Sequence, residues 1–235
     1  KSQISHTTTP SGELLALLNK AAAHRDQGNL TLAARIFNRA IKLEPQCPYA
    51  YDGLADVLSR SMNGPGAASA WMQAMERYRT CSLHWAKCAS NIFDVMSRPI
   101  RDKPPFPTWW NDDSLKTISK FVVGATNPDE TNASASERVF ALAMRGEVLA
   151  CIAPPRLLVG QISMPQWTPG LRTPEEVREG GECFRAAAKL ASSASYPACA
   201  LKDGFVVAAV ACFQRAKDES YLTQGGLLRP DVGAA

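Results

Sequence analysis

Few residues of this chain have the types and spacing that catalysis or metal binding requires. His84 and Cys88 lie four residues apart, and a Cys-His pair one helical turn apart can form a thiolate nucleophile. Asp52 and Asp56 have the same spacing, which puts two carboxylates on one helix face, as a metal site would need. Without a second source of carboxylates, we interpret the two acids as solvated or partner-facing, and Cys88 as a packing residue.

The other acidic pairs also have a simpler explanation than catalysis. Asp112-Asp113 and Glu175-Glu176 each fall where a helix is expected to begin, and the helix dipole favours acids there. The chain has no glycine-rich phosphate loop, no GxSxG and no HExxH. The sequence therefore predicts a non-enzymatic protein without a catalytic residue, a cofactor or a metal site.

Composition narrows the class of protein further. Apolar residues make up 46% of the 235 residues and charged residues 20%, which is typical of folded proteins. The net charge is +4, without a run of like charges, so nucleic acid is not an expected partner. No apolar stretch reaches about 18 residues, so a membrane span is not predicted.

The seven cysteines indicate the compartment. None forms a CxxC motif, and only three histidines accompany them, so paired zinc ligands are missing. A dispersed, odd set predicts free and mostly buried thiols. We therefore expect an intracellular protein, in the cytoplasm or in an organelle matrix or stroma. Because the chain starts at Lys1, we also expect a fragment or a form processed at its N terminus.

Paired helices are the elements that would position these residues. From Gly28 to Pro45, apolar residues recur every three or four positions, with Phe37 between two alanines. Gly28 supplies a left-handed residue that ends one helix, and Pro45 cannot continue the next. Similar patterns predict nine helices, at about 11–27, 30–43, 48–60, 65–80, 82–97, 112–123, 134–152, from 173 onward, and 198–217.

The apolar positions of the first helix pair recur 34 residues later. The matched residues are Ala33 with Ala67, Phe37 with Trp71, Ala40 with Ala74, and Tyr51 with Trp85. A fixed period of this length is typical of a solenoid, in which each unit buries its apolar face against the next.

With this period, residues 14–97 resemble the tetratricopeptide repeat family. The match is carried by Gly28, Asn29, Ala33, Phe37, Ala40 and Pro45 in a second helix and by Tyr51, Leu54, Ala55, Trp85 and Ala89 in first helices. Lys20, Met62 and Arg79 depart from the pattern, which has Leu, Gly and Pro there. The resemblance implies an all-α fold: a right-handed α-solenoid of helical hairpins, here with proline-rich insertions and a C-terminal capping helix.

The expected organisation follows from where the regular pattern stops. We expect a flexible segment at 1–10, repeats at 11–97, a linker rich in proline and tryptophan at 98–111, a degenerate helical extension at 112–218 with an insertion at 154–173, and a loose tail at 219–235. The extension either continues the superhelix, which we favour because its last two helices pair like a repeat, or forms a separate cap.

The resemblance also implies a binding groove, lined by the first helix of each pair. The implied groove residues are Leu18, Arg25, Tyr49, Asp52, Asp56, Lys87 and Asn91. Its acidic centre predicts a peptide that carries Lys or Arg, with Tyr49 as an aromatic anchor; the alternative is a solvated surface. The family's clamp for the C-terminal carboxylate of chaperones is not expected, since its five positions hold Leu18, Ala22, Gly53, Leu83 and Lys87.

A second candidate surface consists of aromatic residues in the insertions, namely Phe106, Trp109, Trp110 and Trp167. We favour packing of these rings onto the helices, with part of the cluster in contact with a partner. The predicted function is a protein–protein interaction scaffold, acting as a structural subunit or assembly factor of a larger complex. The alternatives are a free adaptor that binds peptides in the groove and an RNA-binding helical repeat.

Overall fold

The computed structural model of the protein describes residues 11–98, 100–151, 167, 169–195 and 198–217. Within these ranges the chain is helical and contains no β-strand, which confirms the all-α prediction for this part of it. The helices are α1 (Gly12–Asp26), α2 (Leu30–Leu43), α3 (Pro48–Arg60), α4 (Gly64–Arg77), α5 (Leu83–Ser97), α6 (Asp112–Ala125), α7 (Ala135–Ala150), α8 (Pro174–Ala191) and α9 (Lys202–Arg215), with a 3₁₀ helix (Ala198–Leu201) before α9.

Parts of the predicted organisation lie outside the described residues. These parts are the N-terminal segment 1–10, residues 154–166 and 168 of the insertion, and the tail 219–235. Among the helices that the structure does describe, none is both long and apolar enough to cross a membrane.

The chain divides into two compact units between Phe106 and Pro107. In the first unit, each helix from α1 to α5 packs against the next one in the chain, and α1 also contacts α3. In the second unit, consecutive helices from α6 to α9 pack in the same manner. Helices that are neighbours in sequence thus pack together in the second unit, even though residues 151–173 separate α7 from α8.

Side-chain caps mark several helix starts. Ser11 Oγ accepts a hydrogen bond from the Leu14 backbone N–H at 3.3 Å, so it caps α1 as its sequence position predicts. Thr173 and Glu176 form a reciprocal capping box at the start of α8, and Pro174 occupies the first turn. Because these capping residues can be recognised in the sequence, the starts of α1 and α8 could be predicted from it.

Two turns in the first unit have the same geometry 34 residues apart. Gly28 has φ of 80° and Met62 has φ of 62°, both in the left-handed region. After α1, the Asn29 N–H donates to the His24 carbonyl at 2.8 Å; after α3, the Asn63 N–H donates to the Leu58 carbonyl at 2.9 Å. Met62 therefore occupies a position that favours glycine, while its side chain is 88% exposed.

We predict that Met62→Gly stabilises the protein by about 0.5 to 1 kcal/mol. Glycine relieves the strain of a left-handed backbone, and this relief exceeds the extra backbone entropy that glycine loses on folding. Urea unfolding followed by circular dichroism measures the change. Met62→Ala is the matched control, since it removes the exposed side chain and keeps the strain. Equal stabilities of the glycine and alanine variants would contradict the prediction.

The core of the first unit is built from the small-large-small pattern of its second helices. Ala33, Phe37 and Ala40 of α2 are buried, and so are the residues 34 positions later, Ala67, Trp71 and Ala74 of α4. Gly53 of α3 lies directly against Phe37: a β-carbon on Gly53 would fall 2.3 Å from the Phe37 ring. The absence of a side chain at Gly53 therefore lets α3 approach the Phe37 ring closely.

In the second unit, an ion pair links Asp112, the first residue of α6, to Arg172, which lies just before α8. The Arg172 side chain is 4% exposed, and its Nη1 donates to Asp112 Oδ2 at 2.9 Å. Its Nη2 donates to the Val148 carbonyl at 3.0 Å, in the last turn of α7, where a helix leaves carbonyls without internal partners. Burial alone raises the pKa of Asp112, but the hydrogen bond and charge of Arg172 outweigh it and hold that pKa below its usual value.

Candidate protein-binding groove

A concave groove of about 760 Å³ lies in the first unit. Its walls come from α1, α3 and α5, the first helices of successive pairs. The lining residues are Leu15, Leu18, Asn19, Ala22 and Arg25 from α1, Tyr49, Asp52, Gly53, Asp56 and Arg60 from α3, Lys87 and Asn91 from α5, together with Phe37 and Trp71. Spacings of three and four residues place each helix's contribution on a single face.

The structure brings all the predicted groove residues together. Leu18, Arg25, Tyr49, Asp52, Asp56, Lys87 and Asn91 line the same cavity. Leu83, which stands at one of the chaperone-clamp positions, is not among the lining residues. The arrangement provides a surface on which a partner can bind, and partner binding there stays a prediction.

Asp56 lies between two arginines in the groove. Its Oδ2 is 3.2 Å from Arg25 Nη1, and its Oδ1 is 3.3 Å from Arg60 Nε. Arg25 also donates through Nε to Asp26 Oδ1 at 2.9 Å. The hydrogen bond to Asp26 and the charge of Asp56 raise the pKa of Arg25, although burial opposes them. Both oxygens of the Asp56 carboxylate therefore have a partner within the chain.

Asp52 accepts hydrogen bonds from two aromatic side chains. Trp71 Nε1 donates to Oδ1 at 3.2 Å, and the Tyr78 hydroxyl donates to Oδ2 at 3.3 Å. Trp71 is only 5% exposed, so its indole N–H depends on this acceptor. Residues from α4 and the turn after it thus donate to both oxygens of Asp52, which also lines the groove. Contact of Asp52 with a partner stays a prediction.

Tyr49 lies at the edge of the groove in a group of three aromatic rings. Its ring meets those of Tyr78 and His84 edge-on, with centroids 5.5 Å and 5.6 Å away. Burial and the neighbouring Asp52 raise the pKa of Tyr78 above its usual value, so its hydroxyl stays protonated and donates. Tyr49 itself is 47% exposed, and the other two rings support it from one side.

Apolar surface lies beside these polar groups. Leu15 on α1 is 50% exposed, and Leu18 and Ala22 continue the same helix face into the groove. The groove therefore combines an apolar wall with a charged one.

The aromatic residues of the insertions divide between the two units. In the second unit, the Trp110 and Trp109 rings are 5.6 Å apart, and Trp110 meets Trp167 edge-on at 6.2 Å. Trp167 Nε1 donates to Asp112 Oδ1 at 3.2 Å. These three rings are half-buried, and contact of their exposed parts with a partner stays a prediction. Phe106, at the end of the first unit, is 46% exposed.

The pairs that could have supported chemistry take part in packing and ion pairs. Cys88 is fully buried, and burial together with Asp52 raises the pKa of its thiol well above the usual value, so a thiolate is disfavoured at neutral pH. His84 stacks on Tyr78, with centroids 5.2 Å apart. Glu176 binds Lys116 Nζ at 2.7 Å. Across the part of the chain that the structure describes, no group of three potential metal ligands occurs.

All seven cysteines lie in the described ranges and are free thiols. Four of them, Cys47, Cys88, Cys151 and Cys212, are buried, in agreement with the predicted free and mostly buried set. Burial raises the pKa of the half-buried Cys183 to about 11 and that of Cys212 to about 12. These thiols are therefore protonated near neutral pH.

No protein-family model matches this chain, and no curated protein matches its sequence. The tetratricopeptide interpretation therefore rests on the residues and spacing of this chain, and it stays a prediction.

Seven lining residues lie outside the predicted groove set. Ala22 and Gly53 stand at clamp positions, and the other five are Leu15, Asn19, Phe37, Arg60 and Trp71. Arg60 has a signal in the sequence, because it follows Asp56 by four residues and so faces the same side of α3. Phe37 and Trp71 were assigned to the core only. Both are indeed buried, yet they also line the groove. For Phe37, the missing side chain of Gly53 explains this double position.

Proposed function

We propose that this protein is a non-enzymatic scaffold for protein–protein interaction, and that its first unit is a right-handed stack of tetratricopeptide-like hairpins. The 34-residue recurrence of buried residues and the equivalent turns at Gly28 and Met62 support the repeat assignment. Within this proposal, the protein acts as a structural subunit or assembly factor of a larger complex. The seven free thiols favour an intracellular location.

One observation carries the proposal: α1, α3 and α5 place their lining residues on a single groove. A groove formed by three alternate helices can contact an extended chain along its length. Exposed apolar and aromatic side chains at its edge, Leu15 and Tyr49, supply the area that anchors such a chain. We therefore propose that a segment of a partner protein lies in this groove.

The same groove supports a second candidate function, a free adaptor that binds short peptides. The two functions differ in how permanent the association is. A structural subunit elutes with fixed companions in gel filtration of gently lysed source material, whereas an adaptor elutes near the 25.4 kDa of the chain alone.

Filling the groove is the test of its function. Ala22 lines the groove and Ala23, the next residue of α1, is exposed outside it. The test selects peptides of about 12 residues from a random library for binding to the full chain. We predict that the selected peptides bind Ala23→Trp as tightly as wild type. They should bind Ala22→Trp at least about tenfold more weakly, because the new indole fills the part of the groove that the peptide occupies. Fluorescence anisotropy measures the affinities.

Thermal melts of both variants show whether they fold. If Ala22→Trp melts early, Asn91→Trp fills the groove from the opposite wall on α5. Failure to select any peptide, or equal binding to the filled and unfilled grooves, would overturn the proposed function.

A further inference from the structure

We propose that the exposed face of α9 binds the same face of a second copy of this chain. In this dimer the two α9 helices run antiparallel, and the two-fold axis passes beside Val210. The inference goes beyond the proposed function and does not depend on it, because the residues that line the groove come from α1 to α5.

α9 carries a stripe of exposed valines. Val206, Val207 and Val210 are 47%, 58% and 49% exposed. Their spacing of three and four residues places them on one face of the helix. The opposite face packs in the core of the second unit through Phe205, Ala208, Ala209, Cys212 and Ala216. Valine is a weaker helix former than alanine, lysine or glutamate, so exposed valines cost α9 stability that a contact would recover.

Opposite charges stand at the two ends of this stripe. Asp203 lies seven residues before Val210 and Lys217 lies seven residues after it, and both side chains are exposed. Seven residues are close to two helical turns, so Asp203 lies on the same face as Val210. Ala216, just past the end of α9, keeps right-handed helical backbone angles, which keeps Lys217 near that face as well.

These positions make the face complementary to itself. When two α9 helices pair antiparallel about Val210, Asp203 of each copy lies opposite Lys217 of the other, and the two Val210 side chains meet at the axis. A parallel pair in register would instead bring like charges together. A helix of another protein could also cover the valines, but equal distances of the two charges from Val210 are what two-fold symmetry requires. These positions therefore favour a second copy as the occupant.

The length of α9 sets the strength of the contact. The helix has 14 residues and is therefore about 21 Å long. Stable interfaces bury about 1,600 Å² in total, so a contact through one such helix on each side is weak. We expect a Kd on the order of 10–100 µM. In a gel-filtered lysate, where the chain is far more dilute, the dimer dissociates.

Sedimentation equilibrium of the full chain from about 5 to about 300 µM measures the association. The average mass of wild type should rise with concentration from the 25.4 kDa of one chain towards twice that value. Val210→Lys puts two like charges at the axis and should stay monomeric over this range. Phe121→Lys is the matched control, since Phe121 on α6 is exposed to a similar extent, 45%, and this variant should associate like wild type.

An exchange of charges tests the pairing itself. Asp203→Lys and Lys217→Asp should each raise the Kd severalfold, because each places like charges opposite one another at both ends of the dimer. The double variant restores opposite charges and should return the Kd to near its wild-type value. Misfolding does not explain such a rescue, because the helix dipole makes the double variant the least favourable for α9 itself, with a base at its start and an acid at its end.

Three results would overturn the inference: a wild-type chain that stays monomeric at about 300 µM, association of Val210→Lys equal to that of wild type, or a double variant that associates no better than Asp203→Lys alone. The first result would leave the face to a different partner or to solvent. All of these variants keep the groove residues, so none of the outcomes decides the proposed function.

Discussion

Phe37→Asp unfolds the first unit of the protein. Phe37 is 3% exposed and packs in a cluster with Ala21, Ala33, Ile36 and Val57. Removing a buried phenylalanine costs about 3–5 kcal/mol, and an unpaired carboxylate in its place adds several more. This sum is comparable to the whole stability of a typical domain, about 5–15 kcal/mol. Loss of helicity by circular dichroism and fast hydrogen exchange in peptides from α1 to α3 measure the effect.

Leu32→Asp is the control for Phe37→Asp. Leu32 lies on the same helix, α2, but is 39% exposed near its N terminus, where an acid interacts favourably with the helix dipole. We expect its melt to stay close to that of wild type. The 34-residue period extends the prediction to Trp71→Asp, which should behave like Phe37→Asp. Wild-type helicity and exchange in Phe37→Asp would contradict the core assignment.

Arg172→Met destabilises the second unit by about 3–5 kcal/mol, because it leaves the buried Asp112 carboxylate without its main partner. It also removes the donor that satisfies the Val148 carbonyl at the end of α7. Urea unfolding at neutral pH, read by hydrogen exchange of peptides from α6 to α8, gives the size of the loss. Arg185→Met is the control, since the Arg185 side chain is 67% exposed. It pairs with Glu182 in its own helix and lies 5.6 Å from the centre of the Phe213 ring, and exposed contacts of these kinds contribute at most about 1 kcal/mol each.

The pH dependence separates a lost ion pair from lost packing. In wild type, Arg172 holds the pKa of Asp112 below its unfolded value, about 3.9. Stability from this pair is therefore present above that unfolded value and is lost as the pH falls through the lower folded pKa. The difference between wild type and Arg172→Met should shrink as the pH is lowered from about 5 to about 2. A difference independent of pH would assign the effect of Arg172 to packing alone.

Local signals explain the parts of the fold that the sequence predicts well. The bounds of α2 and α3 match the predicted ones because Gly28, Pro45 and Pro48 mark their ends by backbone geometry alone. The predicted fourth helix, to about residue 80, ends earlier, at Arg77, since Tyr78 adopts an extended conformation. The last predicted helix begins as a 3₁₀ turn at 198–201. Such endings depend on tertiary contacts more than on residue type.

Contacts between distant residues were beyond the reach of the sequence. Asp112 and Arg172 are 60 residues apart, and no spacing rule links them. In the groove, helical periodicity on α1, α3 and α5 placed the right residues on one surface, but it could not show that Trp71 reaches Asp52 from 19 residues away. The position of the groove was therefore predictable, while the hydrogen bonds inside it were not.

The most direct measurement of the central claim is photo-crosslinking from the groove inside the cells that make the protein. A benzoylphenylalanine replaces Tyr49, which is 47% exposed at the groove edge, and in a matched variant it replaces Met62, which is 88% exposed in the turn after α3. We predict one dominant crosslinked protein from position 49, lost when Ala22→Trp is added and absent from position 62. The same products from both positions, or a product at position 49 that Ala22→Trp leaves unchanged, would contradict the claim that this groove holds a partner.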